Sequence, residues 1–135
     1  VSVLDAETGD VLRTELGHNK VPTAGLNVVR DLLTGDSSAV LSTFRIGTDD
    51  TAEADGDTAL GTQVNSDSFT QTVKNSAQIV YSYLLASGDL NVYVLKEAGI
   101  FFDDGTIFNR FVYADIDKSS AIQVLYQVTI DITEA

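Results

Sequence analysis

From residue 122 to residue 132 every second side chain is apolar. Ile122, Val124, Tyr126, Val128, Ile130 and Ile132 share one parity, while Gln123, Gln127, Thr129 and Asp131 hold most of the other. A period of two marks a pleated strand with one buried and one hydrated face, as in an antiparallel sheet. Two further strands are predicted just upstream, over residues 97–102 and 106–115. They are joined by Asp103, Asp104 and Gly105, where glycine supplies the positive φ of a tight turn. The polar residues 117–120 lead into the last strand, so the pattern predicts a three-stranded meander.

Further upstream, strands over residues 1–5 and 10–16 flank Ala6, Glu7, Thr8 and Gly9 and read as a hairpin, followed by a turn at residues 17–20. Strands are also expected over 41–47, 68–74 and 77–86, the last with Ile79, Tyr81, Tyr83 and Leu85 on one face and a turn at Ser87, Gly88 and Asp89 behind it. One segment has helical spacing: Thr23 stands at the N-cap, Leu26, Val29, Leu32 and Leu33 recur along one stripe, and Gly35 ends it. Asn27, Arg30, Asp31 and Thr34 mostly face away, so this helix is expected to pack one side on a sheet and leave the other wet. Eight or more strands and one helix predict a mainly β fold, an antiparallel β-sandwich of jelly-roll-like form with one short helix. A single domain spanning residues 1–135 fits the length.

Charge changes this picture. Twenty acidic residues face eight basic ones, a net charge of −12, and the acids are scattered through turns and outward strand positions of a chain that is 44% hydrophobic. This describes a folded domain with an acidic coat and not an acidic tail. Like charges on a compact surface repel. At about 1 M salt the Debye length falls to about 3 Å and most of that repulsion is screened, which suggests a halophilic source. Clustered Lys and Arg are missing, which argues against nucleic-acid binding. There is no cysteine, hence no disulfide, thiolate metal site or cysteine nucleophile. No apolar run is long enough to cross a bilayer and no secretion signal is readable. A leading Val1 fits removal of methionine or proteolytic maturation.

Catalytic equipment is sparse. His18, the single histidine, stands in a turn-like segment and reads as a surface residue; no serine sits in a GxSxG elbow, and no Gly-rich loop precedes the helix. Neither an enzyme nor a cofactor is therefore expected. The loop over residues 48–59 carries Asp49, Asp50, Glu53, Asp55 and Asp57, either as a hydrated acidic loop or as an exposed receptor or cation loop. It lacks the closing Glu and flanking helices of an EF-hand, so no metal is assigned. Phe101 and Phe102 are adjacent and must point to opposite faces of a strand, with Phe108, Phe111 and Tyr113 nearby. Both faces then need cover, from a second layer of the same chain or from a neighbouring subunit. Arg110 and Glu97 lie in neighbouring strands and could form a cross-strand or an intersubunit ion pair. Gly47, Gly56, Gly61 and Gly105 read as backbone turns.

Two segments resemble a family of small virion proteins of tailed phages and archaeal tailed viruses. The first runs from Asn27 through Val29-Arg30-Asp31-Leu32-Leu33-Thr34-Gly35-Asp36 to Ile46-Gly47-Thr48 and on to Leu60. The second joins Glu97-Ala98-Gly99-Ile100-Phe101 with Gly105-Thr106-Ile107-Phe108-Asn109-Arg110 and Lys118. Acidic residues replace the threonine-rich loop that the family usually carries. The resemblance implies a structural protein of a haloarchaeal tailed virus, located on the virion and assembled in the host cytoplasm. Its expected partners are further copies of itself, the major capsid protein or other virion proteins, and the host cell surface, with no membrane insertion. A homo-oligomeric capsid turret or decoration protein is the leading expectation; a tail, baseplate or fibre component, or a module binding host glycan or S-layer, is the alternative. Phe101, Phe102, Phe108, Phe111, Tyr113, Arg110 and Glu97 are the expected oligomer interface.

Overall fold

The computed structural model describes residues 1–15 and 19–132. Along it run β1 (Ser2–Asp5), β2 (Val11–Thr14), α1 (Thr23–Thr34), β3 (Leu41–Gly47), β4 (Gln63–Ser68), β5 (Gln71–Asn75), β6 (Gln78–Leu85), β7 (Val94–Phe102), β8 (Ile107–Asp117) and β9 (Ile122–Asp131). The strands form two antiparallel sheets, a five-stranded one in the order β2-β1-β9-β6-β5 and a four-stranded one in the order β4-β3-β7-β8. Packed face to face, they are the β-sandwich that the alternating patterns demand. Consecutive strands are joined as four hairpins that each stay within one sheet, a simpler connectivity than the paired Greek keys of a jelly roll.

The expected C-terminal meander is not formed. β7 and β8 pair as a hairpin, but β9 leaves them through residues 118–121 and enters the other sheet, between β1 and β6. Alternation specifies a one-sided strand but not which sheet it joins. Val124, Tyr126 and Val128 join the buried core with Phe44 and Phe111 of the other sheet, Tyr126 directly against Phe44. The strand predicted over residues 68–74 corresponds to β5, which begins only at Gln71; β4, over residues 63–68, has no counterpart among the predicted strands, and the chain turns from one sheet to the other at Phe69 and Thr70.

The helix also departs from expectation. Pro22 holds the N-cap position without any side-chain cap, and Thr23 is the first helical residue; Gly35, at φ 79°, closes the other end. Only Gly25 is fully buried: a Cβ there would lie 2.7 Å from the Phe108 carbonyl oxygen, so glycine lets the helix sit directly on β8. Leu26 and Leu33, expected to face the sheet, are 56% and 84% exposed.

Between the sheets lies an aromatic core. Phe44 stacks on Tyr83 at 5.6 Å and meets Tyr126 at 5.1 Å, so it ties β3 to two strands of the opposite sheet. Tyr113 and Tyr126 are buried with their hydroxyl oxygens 2.6 Å apart, and the Tyr113 hydroxyl donates to the Glu97 carbonyl at 3.2 Å. Loss of water around these rings raises both pKa values, Tyr113 well above its ordinary value. In the unfolded chain the same phenols ionise near pH 10, while the folded chain retains their protons. Their contribution to stability is therefore complete below about pH 10 and is lost as pH rises through the folded values. The midpoint of urea unfolding should fall steeply from about pH 10 upward. Tyr126→Phe should flatten that fall, and an unchanged slope in this variant would remove the tyrosine explanation.

Candidate functional site: a charge clamp beneath the acidic loop

The outer face of the four-stranded sheet is not bare. Phe101 points outward from β7 and is covered by Leu60 at the end of the acidic loop, Ile107 of β8 and Ala24 of α1; the Arg45 guanidinium lies 4.0 Å from its ring centroid. Phe102 meets Phe108 edge-on at 5.8 Å. Phe111 and Tyr113 face the opposite way, into the core between the sheets. The question posed by adjacent phenylalanines thus has an answer within one chain: a third layer, made of α1 and residues 48–62, provides the second cover. The side chains of Phe101, Phe102, Phe111, Tyr113, Arg110 and Glu97 are buried in the chain's own interior and Phe108 is half-buried, so their burial requires no second subunit.

What holds that layer down is Glu97, fully buried on β7. One carboxylate oxygen accepts from the Thr62 amide at 2.8 Å and the Asp49 amide at 3.4 Å. The other accepts from the Gly61 amide at 3.0 Å and from Arg110 Nε at 2.8 Å. Both ends of the loop are therefore tied to a single buried carboxylate. Arg110, 3% exposed, extends its other arm to Asp57 at 3.3 Å in the middle of the loop. Burial works against the Arg110 charge, but the Glu97 hydrogen bond and the Glu97 and Asp57 charges outweigh it and raise the pKa. Of the two pairings open to sequence, the cross-strand one is realised: Glu97 stands opposite Val112 and Arg110 opposite Gly99, a diagonal contact. Gly47 is no turn residue. It lies within β3 opposite Glu97, and a Cβ there would collide with the Glu97 carboxylate and the Thr62 carbonyl.

The five acids predicted to form an exposed receptor or cation loop each find a partner in the protein. The hydroxyl and amide of Thr51 hold the Asp49 carboxyl below its usual range. Asp50 faces Lys96 at 3.5 Å and Asp55 faces Lys20 at 2.9 Å. Glu53 accepts the Val112 amide at 2.6 Å, and Asp57 accepts the Ala54 amide beside its contact with Arg110. Among the described residues no group of three or more metal-type side chains converges. The predicted surface histidine, His18, lies outside the described residues.

β8 is an edge strand, and its outward amides are closed one after another. Arg110 donates to the Lys20 carbonyl, Val112 to Glu53 and Ala114 to Glu15, while Arg13 donates to the carbonyls of Ala114 and Asp115. Carboxylates here take the place of a neighbouring strand and leave this edge unavailable for pairing with another chain. Lys118 performs a related task at the same end of the sheet. Its buried ammonium donates to Ser87 O, Asn91 Oδ1 and Ser119 O at 2.9–3.1 Å, pinning residues 87–91 with one cation and three neutral acceptors. Burial lowers its pKa, with Asp89 pulling the other way. Asn109 accepts the Ile100 amide at 2.9 Å where the β7–β8 register shifts, and its own amide nitrogen has no partner among the described residues.

Fold and clamp together define a class: a two-sheet antiparallel β-sandwich whose third layer is an acidic loop locked by a buried Glu–Arg pair. No family model, no curated protein and no solved structure matches the chain. Sequence offers Glu97 and Arg110 as an ion pair without deciding between a cross-strand and an intersubunit one, and Lys118 enters only through the resemblance. Gly47 beside Glu97, and the alternating acceptors along β8, emerge only once the register is known.

Proposed function

We propose that this chain is a structural protein of the virion of a haloarchaeal tailed virus, a non-enzymatic building block that forms a homo-oligomeric turret or decoration on the capsid surface. The observation that carries the reading is where the residues of the resemblance fall. Gly47, Glu97, Arg110 and Lys118 all serve to hold loops rigidly against the sheets, so what the two segments specify is a stiff frame. A frame of this kind suits a subunit whose task is shape. The acidic surface supports a working environment of concentrated salt, in which Asp5, Glu7, Asp10, Asp103, Asp104 and similar side chains stay hydrated without driving the chain apart. No helix among the described residues is long and apolar enough to cross a membrane.

The test is the copy number of this chain in purified particles, by quantitative peptide mass spectrometry against the major capsid protein. A ratio close to that of the capsid protein is the expected result. A ratio matching only the symmetry of the tail would move the chain to a tail, baseplate or fibre, and absence from particles would overturn the structural reading.

A further inference from the structure

Among the described residues the two sheets end on four edge strands, β2 and β5 in one and β4 and β8 in the other. Three of them are ill suited to take on a further strand. The outward groups of β8 are already held by side chains and by Lys20. β2 is four residues long, meets a register shift between Val3 and Leu4 of β1, and lies between Asp10 and Glu15. β4 carries Asp67 and meets a register shift between Ile46 and Gly47 of β3. β5 differs in each respect. All of its residues are exposed, its pairing with β6 runs without a shift from Gln71 to Asn75, and no acidic residue occurs from Ser68 to Gly88, on a chain that carries twenty. Such a row of open backbone groups is a template for another strand.

Register fixes which groups of β5 face outward. A two-residue turn, Ser76 and Ala77 with Ser76 at φ 55°, closes on the pair Asn75–Gln78. A turn that short requires its closing pair to exchange both backbone hydrogen bonds, and the exchange then recurs at every second residue. Asn75, Val73 and Gln71 therefore bond to β6, and the N–H and C=O groups of Thr72 and Lys74 point away from the sheet. Side chains alternate as well: Thr72 and Lys74 lie beside Tyr81 and Ile79 on one face, Val73 beside Val80 on the other.

We propose that β5 pairs with β5 of a second copy, antiparallel about a two-fold axis at Val73, so that the five-stranded sheets of the two copies join into one. The inference rests on the reading of the chain as a homo-oligomeric subunit and adds the contact through which copies meet. About this axis the Thr72 N–H donates to the Lys74 carbonyl of the other copy and the Lys74 N–H donates to its Thr72 carbonyl, and symmetry repeats both. Val73 stands against Val73 as the close, non-hydrogen-bonded pair, a β-branched contact of the kind that stabilises sheets. Gln71 faces Asn75, amide to amide, and Lys74 faces Thr72 instead of its own counterpart. An unrelated strand could satisfy the backbone groups; the matching of side chains at every position is what selects β5 itself, as a contact that uses the same surface twice requires. Charge does not choose this partner, but an edge without acids opposes no like charges across the junction.

The chain has no cysteine, so an introduced thiol reports the contact directly. Val73→Cys places two sulfurs across the axis, where Cα atoms about 4.5 Å apart lie within disulfide reach. Val92→Cys, at a residue 94% exposed in the loop between β6 and β7, is the control. In molar salt wild type should be multimeric by light scattering. Under diamide, Val73→Cys should form a covalent dimer roughly tenfold faster or more than Val92→Cys, because pairing raises the local thiol concentration. Thr72→Pro removes an outward N–H that β6 does not use, so its unfolding curve should stay close to that of wild type while its mass falls below the wild-type mass. If Val73→Cys links no faster than Val92→Cys in a multimeric protein, or a folded Thr72→Pro keeps the wild-type mass, β5 is not the contact, while the subunit reading survives. A folded wild type that stays monomeric removes the β5 pairing together with the homo-oligomeric reading.

Discussion

Glu97→Ala should be the most damaging single change to the outer layer, at about 3–5 kcal/mol, the usual cost of removing one partner from a buried ion pair. Two losses combine. Arg110 keeps only Asp57 for its buried charge, and the amides of Gly61 and Thr62 lose the acceptor that closes the loop. Urea unfolding in molar salt measures the total, and amide hydrogen exchange locates it, because Gly61 and Thr62 should lose protection before the core strands do. Arg110→Met should cost less when Glu97 is already Gln than in the wild type, with a coupling of roughly 1 kcal/mol or more in the double-mutant cycle. A Glu97→Ala protein within about 1 kcal/mol of wild type would mean that the clamp contributes little, since the expected cost is several-fold larger.

Phe44→Ala tests the other interface, between the sheets, and should also cost about 3–5 kcal/mol. Phe44 is fully buried, and its ring touches Tyr83 of β6, Tyr126 of β9 and Phe111 of β8. These neighbours sit on hydrogen-bonded strands and cannot close in on the space left behind, so the cavity remains largely open. Leu33→Ala removes a comparable apolar side chain from an exposed position and should change the stability of the monomer by less than about 0.5 kcal/mol. Equal effects from the two substitutions would contradict a core built around Phe44.

The two predicted costs arise at different levels of organisation, and they differ in how far sequence anticipates them. The alternation from Ile122 to Ile132, the turn at Gly105 and the stop at Gly35 are local signals. Each was legible because a strand's period, a positive φ and a helix end depend on a few neighbouring residues. Together they sufficed for a β-sandwich with one helix and for an acidic surface. The same locality explains the misplaced meander: a one-sided strand carries no label for its sheet, and β9 was free to pair with β1 and β6 once residues 118–121 crossed over. Helical spacing places Val29 and Leu32 on one apolar stripe with Leu26 and Leu33 and assigns all four to the sheet, yet Leu26, Leu32 and Leu33 are exposed. Only the seat of Gly25 on β8 decided which part of that stripe faces inward.

The candidate site lies almost wholly on the tertiary side. Glu97 is 36 residues from Gly61 and 13 from Arg110, and no short-range pattern joins them. The acids of residues 48–59 read as a hydrated or cation-binding loop because sequence shows their charge and not their partners; packing turns Glu53 toward the β8 edge and Asp57 toward Arg110. Composition and periodicity determined the architecture and the strong net negative charge of this protein, because those follow from local preference and summed charge. Which carboxylates are spent on holding the fold, and which apolar face remains uncovered, was decided by strand register and layer packing, where residues distant in the chain first meet.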